Sequence, residues 1–459
     1  MIDEPPSSAP GRSDASPPPG EESVEPLDPD PPSSARRLAL ATRVESAFES
    51  HQLPFFQRLI ERASHTYSKA EVEAAAAEID ARMEAIGWRR ELRPDAEGRF
   101  ADHRIFSAPQ ADASAERLAL VGHIDTVFPR SMGFLKFERD GDVARGPGVL
   151  DMKSGLCTVI FALEALAAEA PELAASLPVL FILNSEEEVG SPSSRALFAE
   201  LAPGLRGAMV FEGGRKHDQI ITRRKGGGMF TFEFRGRAAH AGNHHAQGIN
   251  AIHALSLVIP RIEALTDYAR GVTVNVGLIE GGTAKNTVPD YAKCVVDTRF
   301  ERVADADALV RELEAIAADP FAGLEGIPER LREATLTLGG GVTRPPMEAS
   351  AQSQALRRAY ERHAVPAGLQ HGEAPLQGGG SDANLLAAHG VPSIDGLGPF
   401  GEHFHKVEEW SSLDSQKRRT IALATFLAEY AEAAVGRASS ASASWWDVNA
   451  GVTATEAER

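Results

Sequence analysis

His123 and Asp125 stand at the end of the apolar run Leu118-Ala119-Leu120-Val121, with only Ile124 between them. A strand ending in His-x-Asp carries an imidazole to the rim of its sheet, and the carboxylate can reach back to the ring's other nitrogen. A metal-binding histidine needs such a partner, which selects its tautomer and raises its basicity. Further acidic and imidazole positions lie at, or just beyond, other expected strand ends. Asp151 closes Gly146-Pro147-Gly148-Val149-Leu150-Asp151 and precedes a helix, where it could equally act as an N-cap. Glu186-Glu187-Glu188 follow the apolar strand that ends in Leu183-Asn184-Ser185. Three like charges beside a buried strand are costly unless something cationic neutralises them. Glu212 closes Ala208-Met209-Val210-Phe211, and the loop from Gly398 to Lys406 carries His403 and His405. Imidazoles with several carboxylates suit zinc, and an aspartate able to bridge suits a pair of zinc ions ~3.5–4 Å apart.

The elements that must position these residues alternate along the chain. Helical spacing runs over Glu71 to Ile86, Ser154 to Ala168 and Leu197 to Leu201. Continuous apolar strands run over Leu118 to Val121, Pro178 to Leu183 and Ala208 to Phe211. Helices between fully apolar strands predict an α/β fold, with a mostly parallel sheet covered on both faces. In such sheets ligands gather beyond the carboxyl ends of the strands, where the acidic residues and His123 fall. A different pattern starts near Thr222. Met229-Phe230-Thr231-Phe232-Glu233-Phe234 alternates, as a sheet with one solvated face should. A helix over Asn250 to Leu265, strands over Val272 to Ile279 and Ala292 to Thr298, and a helix near Asp305 to Ala318 follow. This is a βαββα two-layer α+β unit, inserted over about 222–335.

Composition narrows the functional classes. A net charge of −18 argues against nucleic-acid or anionic-membrane partners, because the protein's field repels phosphate. No stretch approaches the ~18 apolar residues of a membrane span. Met1 to Pro6 has neither a basic start nor an apolar core, so cytoplasmic residence is the expectation. Cys157 and Cys294 lie in apolar runs and read as buried free thiols. Residues 1–35, rich in Pro, Ser, Asp and Glu, read as a disordered arm, and the Ala/Ser-rich end contains Trp445-Trp446.

Taken in order from about residue 50 to 435, these motifs resemble the co-catalytic zinc peptidases and deacylases. That family includes glutamate carboxypeptidases, aminoacylases, succinyl-diaminopimelate desuccinylases and acetylornithine deacetylases. The resemblance implies that His123, Asp151, Glu188, Glu212 and His405 hold two zinc ions, cobalt or manganese being alternatives. The family's acidic-Glu-Glu-x-Gly-Ser pattern, anchored on Gly190-Ser191, makes Glu187 the general base and Glu188 a metal ligand. Its His-x-x-x-Glu pattern followed by an aromatic residue selects His405 over His403. Asp125 becomes the orienter of His123. Asp151 becomes the bridging ligand, and Glu212 rather than Asp leans towards the carboxypeptidase and desuccinylase branches.

The resemblance further implies a catalytic zinc-binding domain over 36–221 and 336–436, a lid and dimerisation domain over 222–335, and a tail over 437–459. His240, Asn286, Arg299 and Arg344 match substrate-binding positions, with His240 reaching a neighbouring active site in a homodimer. Gly378-Gly379-Gly380-Ser381-Asp382 resembles another substrate-side element, whereas His244-His245 reads as surface or an adventitious metal site. The implied reaction is hydrolysis of an amide or peptide bond beside a free carboxylate, in a small peptide or N-acyl amino acid. Arg299 or Arg344 would clamp that carboxylate in a bidentate fashion. A glutamate carboxypeptidase is the first reading and an N-acyl amino acid deacylase the second. A non-catalytic binding protein would lack a ligand or the base, and none is missing.

Overall fold

The computed structural model describes residues 34–439 other than residue 113. The arm expected over 1–35 lies almost wholly outside the described residues, and so does the Trp445-Trp446 segment. A six-stranded sheet runs in the spatial order Arg89–Arg93, His103–Ser107, Val179–Asn184, Arg117–His123, Leu205–Val210, Ser393–Ile394. The last four strands are mutually parallel, and His103–Ser107 pairs antiparallel with both its neighbours.

Burial explains why the parallel strands are apolar at every position. Leu118 and Leu120 enter one core while Ala119 and Val121 enter the other, because successive side chains point to opposite faces. The first core is closed by Lys153–Glu169 and Leu413–Ser439. Leu156, Val159, Ile160 and Leu163 recur at helical spacing, and all are buried there. The opposite face carries Ser194–Leu201 and Asp382–Ala388. The central strand Arg117–His123 therefore ends its apolar run inside the protein, with His123 at its carboxyl end and 1% exposed.

The inserted unit is a four-stranded antiparallel sheet in the order Thr273–Gly281, Tyr291–Phe300, Gly226–Arg235, Thr335–Arg344. Phe230, Phe232 and Phe234 pack with Val258 of the helix Ala251–Glu263 and Leu313 of the helix Val303–Ala318, while Met229 is exposed. The sequence reading ends this unit at 335, but the structure carries it to Arg344, paired beside Gly227. Gly339-Gly340-Gly341 hide the strand from any side-chain pattern, although its backbone still pairs with Thr231, Phe230 and Met229.

A small sheet ties distant loops together. Trp410–Ser412 pairs with Val143–Arg145, bringing the segment around His405 against the one that ends at Asp151. Cys157 and Cys294 are buried free thiols, as their apolar settings predict. No helix among the described residues is long and apolar enough to cross a membrane.

Candidate metal centre

His123 Nδ1 donates to the Asp125 carbonyl oxygen at 3.0 Å and lies 3.2 Å from Asp125 Oδ1. That leaves Nε2 with its lone pair directed elsewhere, the state a metal ligand requires. Asp125, 0% exposed, does more than orient the ring. Its carboxylate accepts from Thr66 Oγ1 at 2.7 Å and from the backbone N–H groups of Glu187 and Glu188, each at 3.2 Å. One carboxylate thus ties the end of one strand to the turn Glu187–Val189 that follows its neighbour.

The acidic triplet resolves into three different environments. Glu186 is 0% exposed, and its carboxylate accepts from Ser194 N–H at 2.7 Å and Ser193 N–H at 2.9 Å, at the start of the helix Ser194–Leu201. Backbone donors at a helix start stabilise an anion, so this charge is satisfied away from the cluster. Glu187 Oε1 accepts from Arg344 Nη1 at 2.6 Å. Glu188 Oε2 lies 3.2 Å from His405 Nε2.

Asp151 sits between the two imidazoles. Its Oδ1 is 3.2 Å from His123 Nε2 and its Oδ2 is 3.0 Å from His405 Nε2. Glu212 Oε1 is 3.7 Å from His123 Nε2. Donor atoms of His123, Asp151 and Glu188 fall within 4.8 Å of one another, and so do those of His123, Glu187 and Glu212. His405 has a left-handed φ of 60°, uncommon for a residue with a side chain and a frequent mark of functional sites. Among the described residues His403 has no hydrogen bond or ion pair with the cluster, its carbonyl accepting from Lys406 N–H. Glu409, also buried, accepts from the N–H groups of Gly148, Leu150 and Asp151 at 3.2, 2.6 and 2.9 Å. The glutamate that sets the His405 register in the sequence therefore holds the loop carrying Asp151.

The electrostatics fit a cationic guest. Burial and then the Asp151 charge push the Glu188 carboxyl up to about 8, and the same two causes raise Glu212 well above its ordinary range. Hydrogen bonds to Asp151 and Glu188 push His405 up to about 11. Burial opposes protonation of His123, yet its contacts with Asp125 and Asp151 raise it. Asp151 is driven down by the two imidazoles despite its burial. Three close carboxylates are buried here only by sharing protons and cationic imidazoles. A divalent cation replaces those protons with a charge matched to carboxylate and imidazole donors.

Residues 222–324 match the M20-type peptidase dimerisation domain. Carboxypeptidase G2 of Pseudomonas sp. (strain RS-16) is 30% identical over 297 residues, covering 64% of this chain and 69% of that protein. The chain belongs to the M20 metallopeptidase family. Its fold resembles that of aminopeptidase PepT from Bacillus cereus ATCC 10987, with a TM-score of 0.66 at 21% identity over 85% of this chain and 99% of that one. It also resembles a dinuclear metal-binding M20 peptidase from Bacillus subtilis, with a TM-score of 0.59 at 16% identity over 84% of this chain and 99% of that one. This M20 peptidase is accordingly a metal-dependent hydrolase.

Asp151, Glu187, Glu188, Glu212 and His405 line a cleft of about 510 Å³, and Arg299 and Arg344 line the same space. A Cβ on Gly227 would lie 2.1 Å from an Arg299 guanidinium nitrogen, so a side chain there would displace the end of Arg299. A Cβ on Gly380 would fall 2.3 Å from Cδ of Arg344, a side chain held at Glu187. The glycine run thus makes room for an arginine. Asp382 does not line the cleft; it accepts from Asn184 Nδ2 at 2.8 Å and Ser191 Oγ at 2.6 Å, bracing the acidic turn. Burial and then the Glu187 charge push its carboxyl up to about 6.

His240 and Asn286 are brought together but not into this cleft. The strand Ala239–His240 pairs with Thr287–Val288, Ala241 N–H donates to the Asn286 carbonyl at 2.9 Å, and both side chains are exposed. Three basic cleft residues of the M20 peptidase escape sequence reasoning, namely Arg215, Arg224 and Lys225. The one sequence signal for Arg215 is its place after Glu212-Gly213-Gly214, where the chain has just left a strand end.

Proposed function

We propose that this M20 peptidase hydrolyses an amide or peptide bond next to a free carboxylate, in the manner of a glutamate carboxypeptidase. The observation that carries the reading is the placement of an imidazole–carboxylate cluster and two arginines able to clamp a carboxylate, Arg299 and Arg344, around one cleft. Two zinc ions would be held here, one by His123 and Glu212, the other by His405 and Glu188, with Asp151 available to both. When bound, the metal ions supply Lewis acidity, making an attacking water more acidic and polarising the scissile carbonyl.

The chain's own residues do the rest. Glu187 takes a proton from the attacking water and returns it to the leaving amine. Its partner Arg344 is the natural receiver of the substrate carboxylate, because a guanidinium already held at a carboxylate can exchange it for another. Substrate binding then draws Arg344 off and frees Glu187 to act. Asp125 keeps His123 and the Glu187–Glu188 backbone in register throughout.

His240 Nδ1 accepts from the N–H groups of Gly242 and Asn243, each at 3.2 Å, which leaves Nε2–H as a donor suited to a developing oxyanion. With Asn286 it is proposed to serve the active site of a second protomer, residues 222–344 acting as lid and dimer contact. Turnover of glutamyl amides and of dipeptides ending in acidic residues, exceeding that of N-acetyl amino acids with added zinc or cobalt, is the expected result. Exclusive turnover of N-acyl amino acids would make the enzyme a deacylase instead. An active monomer in sedimentation would remove the role given to His240.

A further inference from the structure

Three arginines dock on one short segment of the cleft wall, Gln377-Gly378-Gly379-Gly380. Arg215 Nε donates to Gln377 Oε1 at 3.0 Å, Arg224 Nη1 donates to the Gly379 carbonyl at 3.0 Å, and Arg344 packs on Gly380. The first and last docking points are at most about 11 Å apart along the backbone. Two of the three charges are neutralised within the protein. Arg224 Nε is 2.6 Å from Asp395 Oδ2, a carboxylate that is 0% exposed, and Arg344 is paired with Glu187.

Arg215 differs. It forms no ion pair among the described residues, and its remaining bond runs from Nη1 to the Gly213 carbonyl at 3.0 Å. Among the described residues Nη2 has no protein acceptor, in a side chain that lines the cleft. The guanidinium carbon lies over the Phe404 ring, 4.8 Å from its centre, so a cation–π contact holds it in place as well as the hydrogen bonds. Phe404 adjoins His405, and Gly213 adjoins Glu212. The unpaired cation is therefore tethered to neighbours of both halves of the metal cluster. Burial and then the Arg224 charge lower its proton affinity, with Asp395, Glu212 and Asp151 opposing only in part.

We propose that Arg215 is a specificity residue that binds a second substrate carboxylate, selecting amides of acidic amino acids over those of neutral ones. The inference rests on the amide-hydrolase reading above. Arg344 takes the carboxylate next to the scissile bond, and Arg215, rigid and unpaired along the same segment, takes the side-chain carboxylate. Lysine could not reproduce the planar geometry.

The test compares an N-acyl glutamate with the matched N-acyl glutamine on wild type, Arg215→Gln and Arg215→Lys. Wild type is expected to favour glutamate by about 10- to 100-fold in kcat/KM, the value of one charge-assisted bond. Arg215→Gln should erase that preference through KM, leaving kcat for glutamate and all turnover of glutamine within about threefold; Arg215→Lys should recover part of it. Equal losses on both substrates, or no preference in wild type, would overturn the Arg215 assignment while leaving amide hydrolysis intact. Should neither substrate be cleaved, the reading as a hydrolase of amides beside a carboxylate fails, and calorimetric titration of free glutamate against free glutamine decides Arg215 separately. Weaker glutamate binding in Arg215→Gln with glutamine unchanged sustains it, and identical binding rejects it.

Discussion

The acidic and the basic linings of the cleft meet at the Arg344–Glu187 ion pair but are balanced in opposite ways. Asp151, Glu188 and Glu212 crowd two imidazoles and hold more negative charge than the fold neutralises, so Glu188 and Glu212 are pushed towards protonation. The arginines are mostly answered from within, Arg224 by Asp395, Arg344 by Glu187 and Arg299 by Asp297 at 3.2 Å. One lining is thus completed by a cation from solution. The other is completed already, except at Arg215, and has to be opened by a competing carboxylate. Buried charge is expensive in either case, and the protein places the unanswered part where ligands arrive.

The comparison can be broken most sharply at the point where the linings touch. Glu187→Gln should lower kcat by about 10²- to 10⁴-fold, the usual worth of a general base, with metal content by elemental analysis unchanged. Loss of metal in that variant would make Glu187 part of the acidic cluster rather than the bridge to the basic one. Next in size is Asp395→Ala, which strands Arg224 in a buried site. It should cost about 3–5 kcal/mol of stability in denaturant unfolding, with and without chelator alike. A cost that disappears with chelator would mean that the basic lining, too, depends on the metal.

The smallest effect concerns the support beneath the acidic turn. His103 Nε2 meets Ser193 Oγ at 2.9 Å and its Nδ1 meets Ser185 Oγ at 3.2 Å, bracketing the segment that carries Glu187 and Glu188. Burial pulls His103 down to about 4, with nearby aspartates opposing only in part. Below pH 6.5 the unfolded chain binds a proton that the folded one refuses, so this contribution is present above 6.5 and is lost as pH falls towards 4. Unfolding free energies at pH 7 and pH 5 should differ less in His103→Gln than in wild type. An equal difference would remove His103 from the acid response of this lining.

Much of the candidate cluster was legible because each proposed ligand sits beside a local signal. An apolar run announces a buried strand, and the few residues beyond it reach the sheet edge, which locates His123, Glu187 with Glu188, and Glu212. Gly190-Ser191 placed the register of the triplet within the family pattern, and the structure puts Glu186 on helix N–H groups rather than in the cluster. The strand Thr335–Arg344 was missed because three glycines erase the alternation while the backbone pairing persists. His240 and Asn286 read from the sequence as separate substrate-side positions, and only the structure places them side by side outside the cleft.

Local order along the chain therefore determined the α/β elements, the strand ends and the types of donor available, because side-chain periodicity of two and of 3.6 is a property of neighbouring residues. Tertiary structure decided the pairings. Asp151 meets His405 across 254 positions, Asp125 acquires the Glu187–Glu188 backbone, Glu409 holds the loop of Asp151, and three arginines converge on Gln377 to Gly380. Such contacts depend on how two sheets and their loops pack, and no local spacing records which buried charge will be left without a partner.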